Sequence, residues 1–208
     1  MMSPDGTTQD NPLTALPTAD SATMSRLHEA LAAKAADAGL LDLAYRTVDS
    51  PLGALLLVAS DRGLTRVAFA REGHDQVLAT LAAKVSPRIL RAPGRLDEPA
   101  RELDEYFAGT RRRFELPLDL TTTGEFRRSV QLMLPTIAYG TTVSYAELAA
   151  RAGRPAAVRA VGSACATNPL PIVVPCHRVL RSGGSLGGYL GGLPAKRALL
   201  ELESRDSA

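Results

Sequence analysis

Three short runs of aliphatic and β-branched residues follow one another in AYRTVDSPLGALLLVASDRGLTRVAFA, between Ala44 and Ala70. No other stretch constrains the fold as much. The turn-forming segments DSPLG and SDRG separate the runs, so the pattern predicts three strands joined by tight connections. Helical spacing follows in HDQVLATLAAKV and LDEPARELDEYFAG, and RRFELPLDL reads as another strand. Residues 41–120 are therefore expected to form a small α+β domain, one without a visible chemical motif.

Residues 1–40 read as an N-terminal extension, largely disordered. The first twenty are rich in Pro, Ser, Thr and Asp and have no periodic apolar spacing. A helix is expected from about Ala22 to Ala38, where Leu27, Leu31 and Ala35 recur at helical intervals and Gly39 can end it.

Beyond residue 120 the pattern turns mainly helical. GEFRRSVQLMLPTI is expected to direct Phe126, Val130, Leu132 and Met133 toward a core, with Pro135 disturbing its end. SYAELAARAG begins with Ser144 and has Glu147 three residues later, the capping-box spacing. Gly153 can close that helix, and Pro155 suits the first position of the next, PAAVRAVGSACATN. Two short helices joined by a Gly-containing turn outline a helix-turn-helix, although many helical hairpins bind no nucleic acid. The second helix is nearly all Ala, Gly, Ser and Thr around Arg159. Such a surface suits either a neighbouring helix or a narrow DNA groove entered by one long cation. Charge leans the same way: residues 121–208 hold ten Lys/Arg against five Asp/Glu, while the whole chain is only +2.

IVVPCHRVL then places Cys176 beside His177 at the end of a run that reads as a strand, with Pro175 before the thiol and Arg178 after it. A free cysteine is commonly an inert core residue. Positive neighbours, however, lower a thiol's pKa and favour the nucleophilic thiolate. Adjacent residues on a strand point to opposite faces, so contact between Cys176 and His177 needs a bend or a water bridge. Cys165 has no such company and reads as structural.

These blocks carry a resemblance. NPLPIVVPCHRVL, GTTVSYAELAARAG, RAVGSACATNP and GGYLGGLPAKRALLELE, spanning about Phe126 to Glu203, resemble the O6-alkylguanine-DNA alkyltransferases, or methylated-DNA–protein-cysteine methyltransferases. The strands from Ala44 to Ala70 are similar to that family's N-terminal half. The resemblance implies an α+β chain: a small N-terminal sheet-and-helix domain over 41–120, then a mainly helical domain over 121–208 with the helix-turn-helix and the acceptor cysteine. It implies repair of O6-alkylguanine in double-stranded DNA by irreversible alkyl transfer to Cys176, once per molecule. His177 would deprotonate the thiol through an ordered water, Glu203 would orient His177, and Asn168 would organise the turn entering the site. Tyr145 and Arg159 would extrude the nucleotide and fill its place in the stack. Main-chain groups around Val174 and the Tyr189 hydroxyl would hold the flipped base, with Pro171 as a wall.

The chain departs from the family's frequent pattern at Gln131, where Trp often follows the Val; there is no Trp anywhere. It also has no cysteine before Cys165, so neither the N-terminal zinc site nor the cysteine-rich regulatory domain of some members is expected. No metal or organic cofactor, membrane or obligate protein partner is expected, and two cysteines without metal or disulfide spacing suit a reducing cytoplasm. Two rival readings remain at this point: a DNA-binding module that recognises lesions without chemistry, and a Cys–His hydrolase.

Overall fold

The computed structural model describes residues 20–205; the expected disorder of the first residues falls on 1–19 and lies outside them. The three expected strands form as β1 (Leu43–Val48), β2 (Leu55–Ser60) and β3 (Gly63–Phe69). A fourth, β4 (Ile89–Arg91), completes a sheet of order β3-β2-β1-β4. β1–β2 and β2–β3 pair antiparallel, whereas β1–β4 is parallel. The sequence reading missed β4, because three residues show no measurable alternation.

β2 explains why the sheet holds two layers. Leu55 and Leu57 belong to the main core, while Leu56 and Val58 form a smaller cluster on the opposite face. Successive side chains of a strand point to opposite faces, so a continuous aliphatic run fits a strand covered on both. The smaller cluster packs under α2 (His74–Lys84) through Val77, Leu78 and Leu81. The main face receives α3 (Asp97–Phe107), which buries Leu103 and Tyr106.

RRFELPLDL is not a strand. It makes one isolated bridge, Leu64 with Leu118, in which the Leu64 amide donates to Pro117 O (2.8 Å) and the Asp119 amide to Leu64 O (2.9 Å). Pro117 has no N–H to extend a ladder. The close approach requires glycine at position 63: φ is +141° there, and a Cβ would lie 2.2 Å from Pro117 O.

The N-terminal helix α1 (Ser21–Asp37) ends at Gly39, φ +66°. Of the residues that carry its helical spacing, Leu27 and Leu31 are exposed and Ala35 is partly buried, while Ala32 is the buried residue. In the C-terminal half, α4 (Glu125–Met133) buries Val130 and Gln131, with Phe126 and Met133 half-buried and Leu132 exposed, contrary to expectation for Leu132. Gln131 takes the inner place because its Nε2 donates to Ala164 O (3.0 Å). β5 (Val143–Ser144) leads into α5 (Tyr145–Arg151), whose Ser144–Glu147 capping box forms as the spacing predicts. Pro155 does not open the following helix. It lies in a turn closed by Ala157 N to Arg154 O, and α6 runs Val158–Ala166.

IVVP is not a strand either. It forms a turn that leads into a single 3-10 turn, Cys176–Arg178, followed by β6 (Val179–Leu180) and later α7 (Gly192–Arg205). One apolar cluster joins β2, β3 and α3 to α6, the turn at 170–176 and α7. The edge of β3 also bonds directly to the second half, through Val67 N to Pro169 O (2.9 Å).

Candidate active site

Asn168, just beyond α6, organises the turn that carries the cysteine. It is fully buried, and its Oδ1 accepts from the Leu170 amide (3.0 Å). Its Nδ2 donates to Val174 O (2.7 Å) and to Cys176 Sγ (3.2 Å). One side chain thus ties the start of the turn to its end. Within it Ile172 has φ +76°, a conformation a β-branched side chain rarely adopts, so the surrounding bonds and packing hold local strain. Val174 spends both its main-chain groups internally: its amide donates to Leu170 O, and its carbonyl accepts from Asn168 and from the Cys176 amide. Pro171 and Val174 are both buried walls of this turn.

The β5–β6 pair sets the next distance. Val143 is opposite Val179 and Ser144 opposite Leu180, which brings the start of α5 beside the end of the cysteine turn. Tyr145 is half-buried there, with its hydroxyl so close to Gly187 that a Cβ at 187 would lie 2.4 Å from it. Arg159, by contrast, stands exposed on α6 with Ala160, Ser163 and Ala166, while Val161, Ala164 and Cys165 face inward. Tyr189 has a half-buried ring edge-on to His177 (6.3 Å) and to Phe69 (5.6 Å). Its hydroxyl is buried without a hydrogen bond among the described residues; the Ile172 main chain is near but outside normal bonding geometry.

Behind the thiol lies a fully buried carboxylate. Glu203 Oε1 accepts from His177 Nε2 (2.8 Å), Tyr106 Oη (2.7 Å) and Arg178 Nη2 (2.9 Å). Its Oε2 accepts from Arg178 Nε (2.9 Å) and the Gly140 amide (3.2 Å). Arg178 also donates through Nη1 to Ile137 O (2.6 Å). Burial acts to raise the Glu203 carboxyl, but bonds from His177 and Arg178 outweigh it and bring the pKa down to about 2. An ionised carboxylate only accepts, so His177 Nε2 must carry the proton, and Nδ1 is left as a bare, buried lone pair. Burial also lowers the His177 pKa, against the opposing pull of Glu203, so the ring is neutral near pH 7.

The thiol corrects one expectation. Arg178 does not face Cys176, and His177 is neutral, so neither supplies the expected positive neighbour. Burial instead pushes Cys176 up to about 11, offset in part by the Asn168 bond and the Lys196 charge. The resting sulfur is a protonated thiol. Cys165, likewise buried, is pushed up to about 12.

The structure brings Cys176, His177, Glu203 and Asn168 together, with Tyr189 and Tyr145 around them, all six of them residues named by sequence reasoning. That reasoning missed Tyr106, Lys196 and the true partner of Arg178. Lys196 is fully buried, its Nζ donating to Val179 O (2.6 Å). The spacing Lys196, Leu199, Glu203 was a readable signal, since i, i+3 and i+7 share one helical face. Tyr106 had a weaker one, its place on the apolar stripe of α3. Among the described residues no group of three or more His, Cys, Asp or Glu could hold a metal, and no helix is long and apolar enough to cross a membrane.

Two family models match the chain in succession: the ribonuclease-like domain of 6-O-methylguanine DNA methyltransferase over residues 43–120, and its DNA-binding domain over 125–205. A methylated-DNA–protein-cysteine methyltransferase of Mycolicibacterium paratuberculosis is 43% identical over 163 residues, 78% of this chain and 93% of that protein. The crystal structure of the Mycobacterium tuberculosis O6-methylguanine methyltransferase superposes with a TM-score of 0.70 at 39% identity, covering 80% of this chain and 95% of that one. A structure of the M. tuberculosis protein in complex with DNA gives 0.68 at 40% identity, over 78% and 94%.

The low Glu203 pKa implies a specific acid response. A carboxyl held below its ordinary value of 4.5 contributes stability that is complete above that value and is lost as pH falls toward about 2. Glu203→Gln should therefore cost on the order of 3 kcal/mol at neutral pH, because it breaks a buried charged cluster. The difference between wild type and variant should shrink as pH falls from 4.5 toward 2. Urea melts across that range measure it; a pH-independent difference would show that the carboxylate charge is not what stabilises the cluster.

Proposed function

The chain belongs to the methylated-DNA–protein-cysteine methyltransferase family, and from that premise we infer that it repairs O6-alkylguanine in duplex DNA by transferring the alkyl group to Cys176. The observation that carries this reading is the hydrogen-bonded cluster around the thiol: Asn168 on Cys176 Sγ, and Glu203 fixing the adjacent His177.

The chemistry follows from those groups. His177 Nδ1, free of a proton, takes the thiol proton through a bridging water, and Glu203 stabilises the imidazolium that results. The sulfur lone pair attacks the alkyl carbon, forming the S–C bond as the C–O6 bond breaks, with the electron pair passing to the guanine. A hydrogen bond from the Tyr189 hydroxyl steadies that leaving group. The product is a thioether, which neither water nor another thiol readily cleaves, so each molecule works once. We assign Asn168 to holding the turn and sulfur, and Pro171 and Val174 to the walls of the base pocket. Because Val174 spends both main-chain groups internally, its contribution is shape rather than hydrogen bonding. Two buried free cysteines suit the reducing cytoplasm.

A base inside a duplex keeps O6 away from a buried thiol, so the nucleotide must leave the stack. We assign Arg159 to the vacated place, since the small residues of α6 permit close approach to the groove. Tyr145, beside the cysteine turn, supports the displaced backbone.

Two outcomes test this. Mixed with excess duplex containing O6-methylguanine, the protein should restore one equivalent of guanine and then stop, and Cys176→Ala should restore none; continued turnover would instead indicate a hydrolase. Arg159→Ala should slow repair of the duplex at least tenfold, by the roughly few-kcal/mol cost of unstacking it no longer offsets. The same variant should react almost normally with free O6-benzylguanine, which needs no extrusion. Equal losses on both substrates would make Arg159 a residue of the fold or the pocket.

A further inference from the structure

The exposed stripe of α6 does not end at Ala166. It continues to Thr167, which lines a cleft of about 500 Å³ shared with Thr122, Thr123, Arg127 and Lys84. The cleft joins three parts of the chain: the end of α6, the start of α4, and the last turn of α2. Both cations are exposed, and neither forms an ion pair among the described residues. No carboxylate lines the cleft. Two cations from separate elements, set in one concave surface with the hydroxyls of Thr122 and Thr123, present the donors a phosphate diester requires. The Thr167 hydroxyl already donates to Ser163 O (2.8 Å) and contributes shape.

The position follows the geometry of α6. Arg159 and Thr167 are eight residues apart, or about 12 Å along the helix axis at 1.5 Å per residue. That is about three and a half base-pair rises at 3.4 Å per step on one strand. DNA lying against α6 with its extruded nucleotide at Arg159 would carry its backbone over the Thr167 end. We propose that Lys84 and Arg127 form a phosphate clamp for this part of the backbone, so that the DNA footprint extends from the C-terminal half onto α2 of the N-terminal half. The clamp rests on the DNA-repair reading above and adds a contact from the half that carries no chemistry. It acts on affinity and register and does not touch the reacting atoms.

Its signature is the salt dependence of binding. Each phosphate contact released flattens the slope of log affinity against log salt by about 0.9 on duplex DNA. Fluorescence anisotropy with an O6-methylguanine duplex, between about 50 and 200 mM salt, should give slopes flatter by about that amount for Lys84→Ala and for Arg127→Ala. The double variant should lose about twice as much, and Lys84→Glu with Arg127→Glu should weaken binding further. Reaction with free O6-benzylguanine should be unchanged in every variant, since neither the Lys84 nor the Arg127 side chain bonds to Asn168, Cys176, His177 or Glu203. A double variant with the wild-type slope and affinity would overturn the clamp, while leaving alkyl transfer by the wild type untouched. Slopes that flatten as stated in a wild-type background that transfers no alkyl group would uphold the clamp and remove the catalytic reading instead.

Discussion

A single carboxylate, buried at the meeting point of four segments, organises this molecule. Glu203 on α7 binds Tyr106 on α3, Gly140 in the turn before β5, and both His177 and Arg178 in the cysteine turn. Removing an ionised carboxylate from water costs several kcal/mol even after relaxation, and only a full set of donors offsets that. The chain supplies such a set, with a guanidinium forked across both oxygens. The same bonds that stabilise the charge also fix the helices and turns that donate them, so fold and site share one constraint.

The consequence for chemistry is a division between storage and activation. Burial keeps the Cys176 thiol protonated, which protects it from oxidants and stray electrophiles, because thiolates are the reactive form. Beside it the site keeps an unprotonated imidazole nitrogen whose tautomer Glu203 dictates. A nucleophile that is used once gains from this arrangement. It needs to become a thiolate only when a substrate carbon is in place, and a protein that cannot regenerate its sulfur gains nothing from ionising it earlier.

Much of this was legible in the residues. The aliphatic run at Leu55–Ala59 and the Ser144–Glu147 capping box follow from local rules and appear where those rules place them, and the small-residue helix around Arg159 forms too, though it starts at Val158 rather than at Pro155. The failures have a common cause, which is tertiary override of local pattern. IVVP has strand composition, yet Asn168 bends it into a turn. Leu132 has core character, yet Gln131 takes the buried position. The thiol was misjudged for the same reason: sequence places Arg178 two residues from Cys176, but the fold aims it at Glu203. Adjacency in the chain reveals which charges are available, and only the packed structure reveals which group each one serves.

The most direct test of a stored thiol beside a fixed base is the pH profile of single-turnover transfer from duplex DNA. With His177 as base, the wild-type rate should be level from about pH 7.5 to 9.5, because neutral His177 and protonated Cys176 coexist across that range. His177→Ala should be slower by about 10²–10⁴-fold at neutral pH and should climb about tenfold per pH unit as the thiolate appears unaided. A wild-type rate that also climbs tenfold per unit from pH 7, or a His177→Ala profile that overlays the wild type, would contradict the role given to His177 and Glu203.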